Sequence, residues 1–265
     1  MSRVEGSKMK WLKWLMSVVF GMMLPVMVGH SVQAGTLEEI QHRKLFKICV
    51  NRHALPFSES DDEEFPGAHV EIAELLAREL NVYLDFSWVT FRHRAKYNQC
   101  DAFMGVAVLD DGEGFLKKSN PYLDVKMYVV TRPGIKINNL EDLDGLKVAT
   151  PSASLAHSVL IKRPNVQLFV SMMEDSQMLS AVLKGEVDAA IVANTGIGWY
   201  KKVHPAADFS LTSAEFIHKF NGYPMAIGFR QSDQAMVDRA NEILKKIAYS
   251  GELGRIFKKY GLDQR

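Results

Sequence analysis

QCDAFMGV, residues 99–106, has an echo 87 residues further on, EVDAAIVA at 186–193. Each sets a polar turn and Asp-Ala in front of a short apolar run. Such a run, bounded by turn residues, reads as a strand buried on both faces. The surroundings repeat as well. Ahead of the first phrase come LFKICV (45–50), a strand, and EIAELLAREL (71–80), with Ile72, Leu75, Leu76 and Leu80 on one helical face. VYLDFSWV (82–89), an alternating strand, follows. Ahead of the second come LKVAT (146–150), SLAHSVLIK (154–162), VQLFV (166–170) and DSQMLSAVLKG (175–185), which read strand, helix, strand, helix. Strand and helix alternating in this way predict a parallel sheet. The pattern occurring twice predicts two similar α/β lobes.

Two long β-rich segments join them. YLDVKMYVVTRPG (122–134) ends in Pro-Gly, and YPMAIGFR (223–230) comes late in the chain. The simplest topology leaves lobe one along the first and returns along the second. This places 35–131 plus 223–265 in lobe one and 132–222 in lobe two. The closing stretch, 234–262, reads as helical with a break at Ser250-Gly251 and packs back on lobe one. Two crossing strands make a hinge, and a ligand is expected in the cleft beside the carboxyl ends of the strands.

Of the 265 residues, the first 34 read as a secretory signal peptide. Lys8, Lys10 and Lys13 precede a 15-residue apolar stretch at 14–28, and Val32-Gln33-Ala34 offers a cleavage site. The stretch is short for a membrane span of ~20 residues. Removing Arg3, Lys8, Lys10, Lys13 and Glu5 leaves 28 basic and 30 acidic residues, a charge of −2. A near-neutral chain with no basic block points away from nucleic acid. A periplasmic monomer without a cofactor is expected.

Export bears on the two cysteines, Cys49 and Cys100. In an oxidising compartment a bridge closing so long a loop contributes about 4 kcal/mol. Against it, Cys49 lies late in one strand and Cys100 just before another. Adjacent parallel strands would then offset the pair by several residues at about 3.3 Å each. A bridge and two buried thiols both remain open. The spacing is no metal motif, and the histidines have no ligand spacing.

In its motifs and their order the chain resembles the periplasmic solute-binding proteins of ABC transporters, in the family that mostly binds polar amino acids. ICVNRHALPF (48–57), the helix led by Gly67, SNPYL (119–123), YPMAIGFRQSD (223–233) and SGELGRIFKKYGL (250–262) match in order over nearly the whole mature chain. Tyr260 stands where tryptophan is common. The resemblance implies an α/β, two-lobed, type II periplasmic binding protein fold, with a parallel-rich sheet in each lobe and two hinge strands. It also implies delivery of a small-molecule ligand to an ABC permease.

The same resemblance exposes two losses. Relatives hold the ligand carboxylate with a threonine soon after the glycine matching Gly105 and with an arginine in the following loop. Here those places are Ala107 and Gly112. Relatives pair the ligand ammonium with an aspartate where this chain has Ala193. Burying unpaired charge is costly, so the ligand is not expected to be an ordinary α-amino acid. Phe57 falls where relatives stack a ring over the ligand. Ser152 and Ser154 open a helix, either as caps or as donors of N–H groups to an anion. His53 follows the first strand beside the cleft, and Asn194 and Thr195 end a strand there. Lys117-Lys118 and the region of Arg92 and Arg94 read as solvated, and the acidic run 59–64 reads as a flexible loop rather than a calcium site.

A narrower likeness is to homologues of this fold encoded with quinoprotein alcohol dehydrogenases. These carry a cysteine in the first strand, Cys-Asp before the third, and a Gly-aromatic-aromatic run like Gly198-Trp199-Tyr200. It gives the alternative role, a periplasmic accessory protein docking on a dehydrogenase. No paired acid and base stands among the cleft residues, so an enzyme is not expected.

Overall fold

The computed structural model describes residues 36–89, 98–109, 116–172, 174–218, 221–230 and 234–263. The expected signal peptide, Gly112, and Arg92 and Arg94 lie outside the described residues. A short helix α1 (Leu37–Arg43), capped by the Thr36 hydroxyl, leads into β1 (Leu45–Asn51). A small hairpin follows, β2 (His53–Ala54) with β3 (Ser58–Glu59). Next come α2 (Ala68–Leu80), β4 (Tyr83–Val89), β5 (Ala102–Ala107), β6 (Leu116–Lys118) and β7 (Leu123–Thr131). The second series holds β8 (Lys147–Ala149), α3 (Leu155–Leu160), β9 (Gln167–Phe169), α4 (Asp175–Lys184), β10 (Ala189–Ala193), α5 (Asn194–Val203) and β11 (Ser210–Ser213). β12 (Gly222–Arg230), α6 (Gln234–Tyr249) and α7 (Glu252–Lys259) close the chain. The break between the last two falls at Gly251, whose φ of 80° ends one helix and starts the next.

The strands form one path, β4-β1-β5-β12-β7-β10-β8-β9, with β11 beside β7 and β6 beside β12. β4, β1 and β5 run parallel, as do β10, β8 and β9. β12 and β7 join the two parallel groups, and each divides its length between them. Residues 123–126 of β7 pair with β12, whereas 127–131 pair with β10. β12 in turn passes from β7 to β5 and β6.

Cores lie in both groups. In the first, Phe46 and Ile48 of β1, Ile72 and Leu76 of α2, Phe229 of β12 and Ile243 and Ile247 of α6 are all within 1% of full burial. In the second, alternate residues of β10 face opposite ways. Ala190 and Val192 pack on α4 and α5, and Ala189 and Ile191 pack towards α3.

The repeated Asp-Ala phrase has one structural meaning in both places. The Asp101 N–H donates to Lys47 O at 2.8 Å, and the Lys47 N–H donates back to Asp101 Oδ2 at 2.8 Å. The Asp188 N–H donates to Lys147 O at 2.8 Å, and the Lys147 N–H returns to Asp188 Oδ2 at 2.9 Å. A carboxylate closes the first rung between two parallel strands, where a backbone donor would otherwise lack an acceptor.

Cys49 and Cys100 are bonded to each other, with Cα atoms 5.7 Å apart. The offset argued from strand register does not apply. β5 begins only at Ala102, opposite Ile48, and the chain bends at Asp101 before it, so Cys100 does not lie on the straight extension of β5 and comes within reach of Cys49.

Candidate functional site

The strands of each parallel group end on the side where the groups meet, and a cavity of about 590 Å³ lies there. Ala107 ends β5 and Leu109 follows it. Met127 comes from β7, Leu155 from the start of α3 and Ile191 from β10, with Ile217 from the turn after β11. These alkyl side chains make most of the wall. Ser154, His218, Asn221 and Tyr223 add a few polar atoms. Asn221 donates through Nδ2 to Ser213 Oγ at 2.8 Å, and its buried Oδ1 has no partner among the described residues.

Below the end of β5 is a small aromatic stack. Phe57 lies on His69 with centroids 4.5 Å apart and planes at 22°. Tyr122 Oη stands 2.9 Å from His69 Nε2. Gly105, at a φ of 71°, leaves the room that this imidazole fills, since a Cβ there would come within 2.6 Å of His69 Cε1. His69 is 6% exposed. It was missed in the sequence because the apolar periodicity of α2 starts after it. Tyr122 stood in the SNPYL motif without a role.

In the other group Ser154 and Asn194 have local partners. Ser154 caps α3, accepting from the His157 N–H at 3.0 Å and lying 3.0 Å from Thr150 Oγ1. Ser152 is exposed. Asn194 does not end a strand but opens α5. Its Oδ1 accepts from the Lys126 N–H at 2.9 Å and its Nδ2 donates to Asp124 O at 3.2 Å, so its amide serves β7. Thr195 is 3% exposed. Ala193 gives α5 no side-chain cap. Asp175 opens α4, and its carboxylate occupies the space a Cβ on Gly196 would need. Burial pushes that carboxyl up to about 6.

His53 is exposed in β2, with Nδ1 2.7 Å from Glu59 Oε1. Donor atoms of His53, Glu59 and Asp61 lie within 4.8 Å of one another. The same Glu59 oxygen accepts from the Ser60 and Asp61 N–H groups, and Asp62 accepts from those of Glu64 and Phe65. The acidic run thus orders its own turn. Of the pair read as solvated, Lys117 is exposed in β6 and Lys118 is half-buried.

Two parallel α/β groups, joined by two shared strands over an interior cavity, define a type II periplasmic binding protein fold. The sequence pattern of the bacterial extracellular solute-binding proteins, family 3, matches residues 46–263, and the chain belongs to that family. It is 26% identical over 236 residues to a probable histidine-binding protein of Neisseria gonorrhoeae, across 82% of this chain and 83% of that one. An ancestral cationic amino acid solute-binding protein superposes with a TM-score of 0.70 at 20% identity, covering 85% of this chain and 99% of the other. The amino acid ABC transporter substrate-binding protein AbpA from Streptococcus pneumoniae, bound to L-arginine, gives a TM-score of 0.65 at 18% identity, covering 86% and 100%. No helix among the described residues is long and apolar enough to cross a membrane.

Proposed function

We propose that the chain is a periplasmic solute receptor for an ABC transporter, and that its ligand is a small, largely apolar molecule rather than an ordinary α-amino acid. The observation that carries this reading is the alkyl wall of the cavity, with Ala107 at the end of β5 where relatives place threonine. Ala193 offers no carboxylate, and no acidic residue lines the cavity among the described residues. Among the described lining residues a zwitterion would meet neither a carboxylate nor an arginine or lysine, and burying it unpaired is costly. An apolar body with one or two hydrogen-bonding groups fits the wall and its Ser154, His218, Asn221 and Tyr223 edge.

The same reading takes 35–131 plus 223–265 and 132–222 as halves that turn on β7 and β12. The change of pairing partner at Met127 and Met225 supports that division. A ligand touching both halves only when they are shut would favour the shut form. Ligand binding to the native state alone raises the melting temperature. A panel of neutral aliphatic and aromatic solutes at millimolar concentration should contain stabilisers. Stabilisation by none of them, together with stoichiometric capture of a quinoprotein dehydrogenase on the immobilised protein, would replace the receptor by the accessory role.

A further inference from the structure

Gly198 and Trp199, which play no part in the cavity, lie where the two halves meet. α5 starts on β7, through the two hydrogen bonds of Asn194. Four residues later, about 6 Å along the helix, Gly198 meets Gly261 beyond the end of α7. A Cβ on Gly198 would overlap the Gly261 carbonyl oxygen, and a Cβ on Gly261 would lie 2.5 Å from Gly198 O and 2.7 Å from its carbonyl carbon. Backbone therefore rests on backbone. Gly261 also holds a φ of 66°, which favours glycine.

Beside this crossing the Trp199 ring stands 5.7 Å from Phe65 and 5.9 Å from Tyr260, centroid to centroid. Its two neighbours are held firmly. The Tyr260 hydroxyl donates to Glu71 Oε1 at 2.7 Å and accepts from the Gly67 N–H at 2.9 Å, and the residue is fully buried. Lys259 Nζ lies 5.3 Å from both the Phe65 and the Tyr260 ring centroids and 2.7 Å from the same Glu71 oxygen.

We propose that the Gly198–Gly261 crossing is the fulcrum on which the two halves turn, with Trp199 as the wedge that sets their resting angle. This rests on the division into halves proposed above. The crossing lies within about one helical turn of β7, and a contact that near an axis travels little during rotation. Two glycines present smooth backbone there, with no side chains to interlock. Trp199, next in the chain, reaches Phe65 and Tyr260 of the other half, so it restrains the angle.

The test is a distance distribution between spin labels on cysteines introduced at Glu242 of α6 and Lys184 of α4, both exposed, with the native disulfide kept. Gly198→Ala should shift the maximum of the distribution, because only backbone displacement relieves the overlap. Trp199→Ala should broaden it. Gly254→Ala, in α7 with no atom near the new methyl group, should leave it unchanged. Pro224→Gly, in β12, loosens a shared strand and should broaden it independently of the crossing. If Pro224→Gly broadens the distribution while Gly198→Ala and Trp199→Ala match the wild type, the fulcrum is wrong and the halves still turn. If all of these variants match the wild type, the division into moving halves fails, and the fulcrum with it. Should Gly198→Ala not fold, Trp199→Ala decides alone.

Discussion

At the head of β5 Asp101 gives its carboxylate to the Lys47 N–H, and at the head of β10 Asp188 gives its own to Lys147, at nearly equal distances. Each also meets an arginine, Arg43 in the first case and Arg132 in the second. The settings differ. The Asp101 side chain is fully buried, and Asp188 is 30% exposed with Arg132 3.5 Å away. The first site is immediately preceded by a disulfide to β1, through Cys100, and the second has no covalent counterpart. The likeness teaches that Asp-Ala is a device for starting a buried parallel strand, so its recurrence reports fold and not ligand. The two strands differ at their other ends, where β5 delivers Ala107 to the cavity and β10 hands over to α5.

That contrast should be measurable as stability. Asp101→Ala leaves the Lys47 N–H without its buried acceptor and takes one partner from the Arg43 guanidinium, which is 30% exposed and keeps Leu45 O, a loss of about 2–3 kcal/mol. Asp188→Ala removes a similar contact where water can replace it, a loss of about 1 kcal/mol. Urea unfolding of the two variants should rank them in that order, and equal losses would mean that burial does not distinguish the two sites.

Removing the bridge with Cys49→Ala and Cys100→Ala should cost about 4 kcal/mol, from a closed loop spanning 51 residues of sequence separation. Hydrogen exchange sharpens the contrast. Protection should fall in β1, β4 and β5 and hold in β8, β9 and β10. A uniform loss would show the halves to unfold as one.

A smaller effect is expected at Asp175. Its folded pKa of about 6 is above the ordinary 3.8, so the native state favours the protonated form. The associated stability is complete below pH ~4 and is lost as pH rises through ~6. Asp175→Asn should therefore match the wild type at pH 4 and exceed it at pH 8 by about 1 kcal/mol, less than the full shift implies because water reaches part of the carboxyl and the first turn of α4 favours its charge. A variant less stable than wild type at pH 8 would mean that the ionised carboxylate has a stabilising partner.

Much of this architecture was legible. The doubled phrase, the two long β segments and the helix break at Ser250-Gly251 all stand as read. α5 was not legible, because Gly196 and Gly198 weaken helix propensity in NTGIG, and only packing against Asp175 and Gly261 explains them. The bridge was not legible, because strand register alone does not reveal the bend at Asp101. The cavity was half legible. Ala107 could be counted off from Gly105, but Ile217, His218 and Tyr223 come from irregular backbone and a strand start that carry no periodic signal.

The most direct test of the ligand reading is calorimetric titration of the mature protein, freed of retained ligand, with L-histidine and L-arginine. These are suggested by the histidine-binding relative and the arginine-bound neighbour. The alkyl wall predicts no saturable heat for either at millimolar concentration, whereas saturation by one of them at a 1:1 ratio with a micromolar or tighter Kd would contradict it.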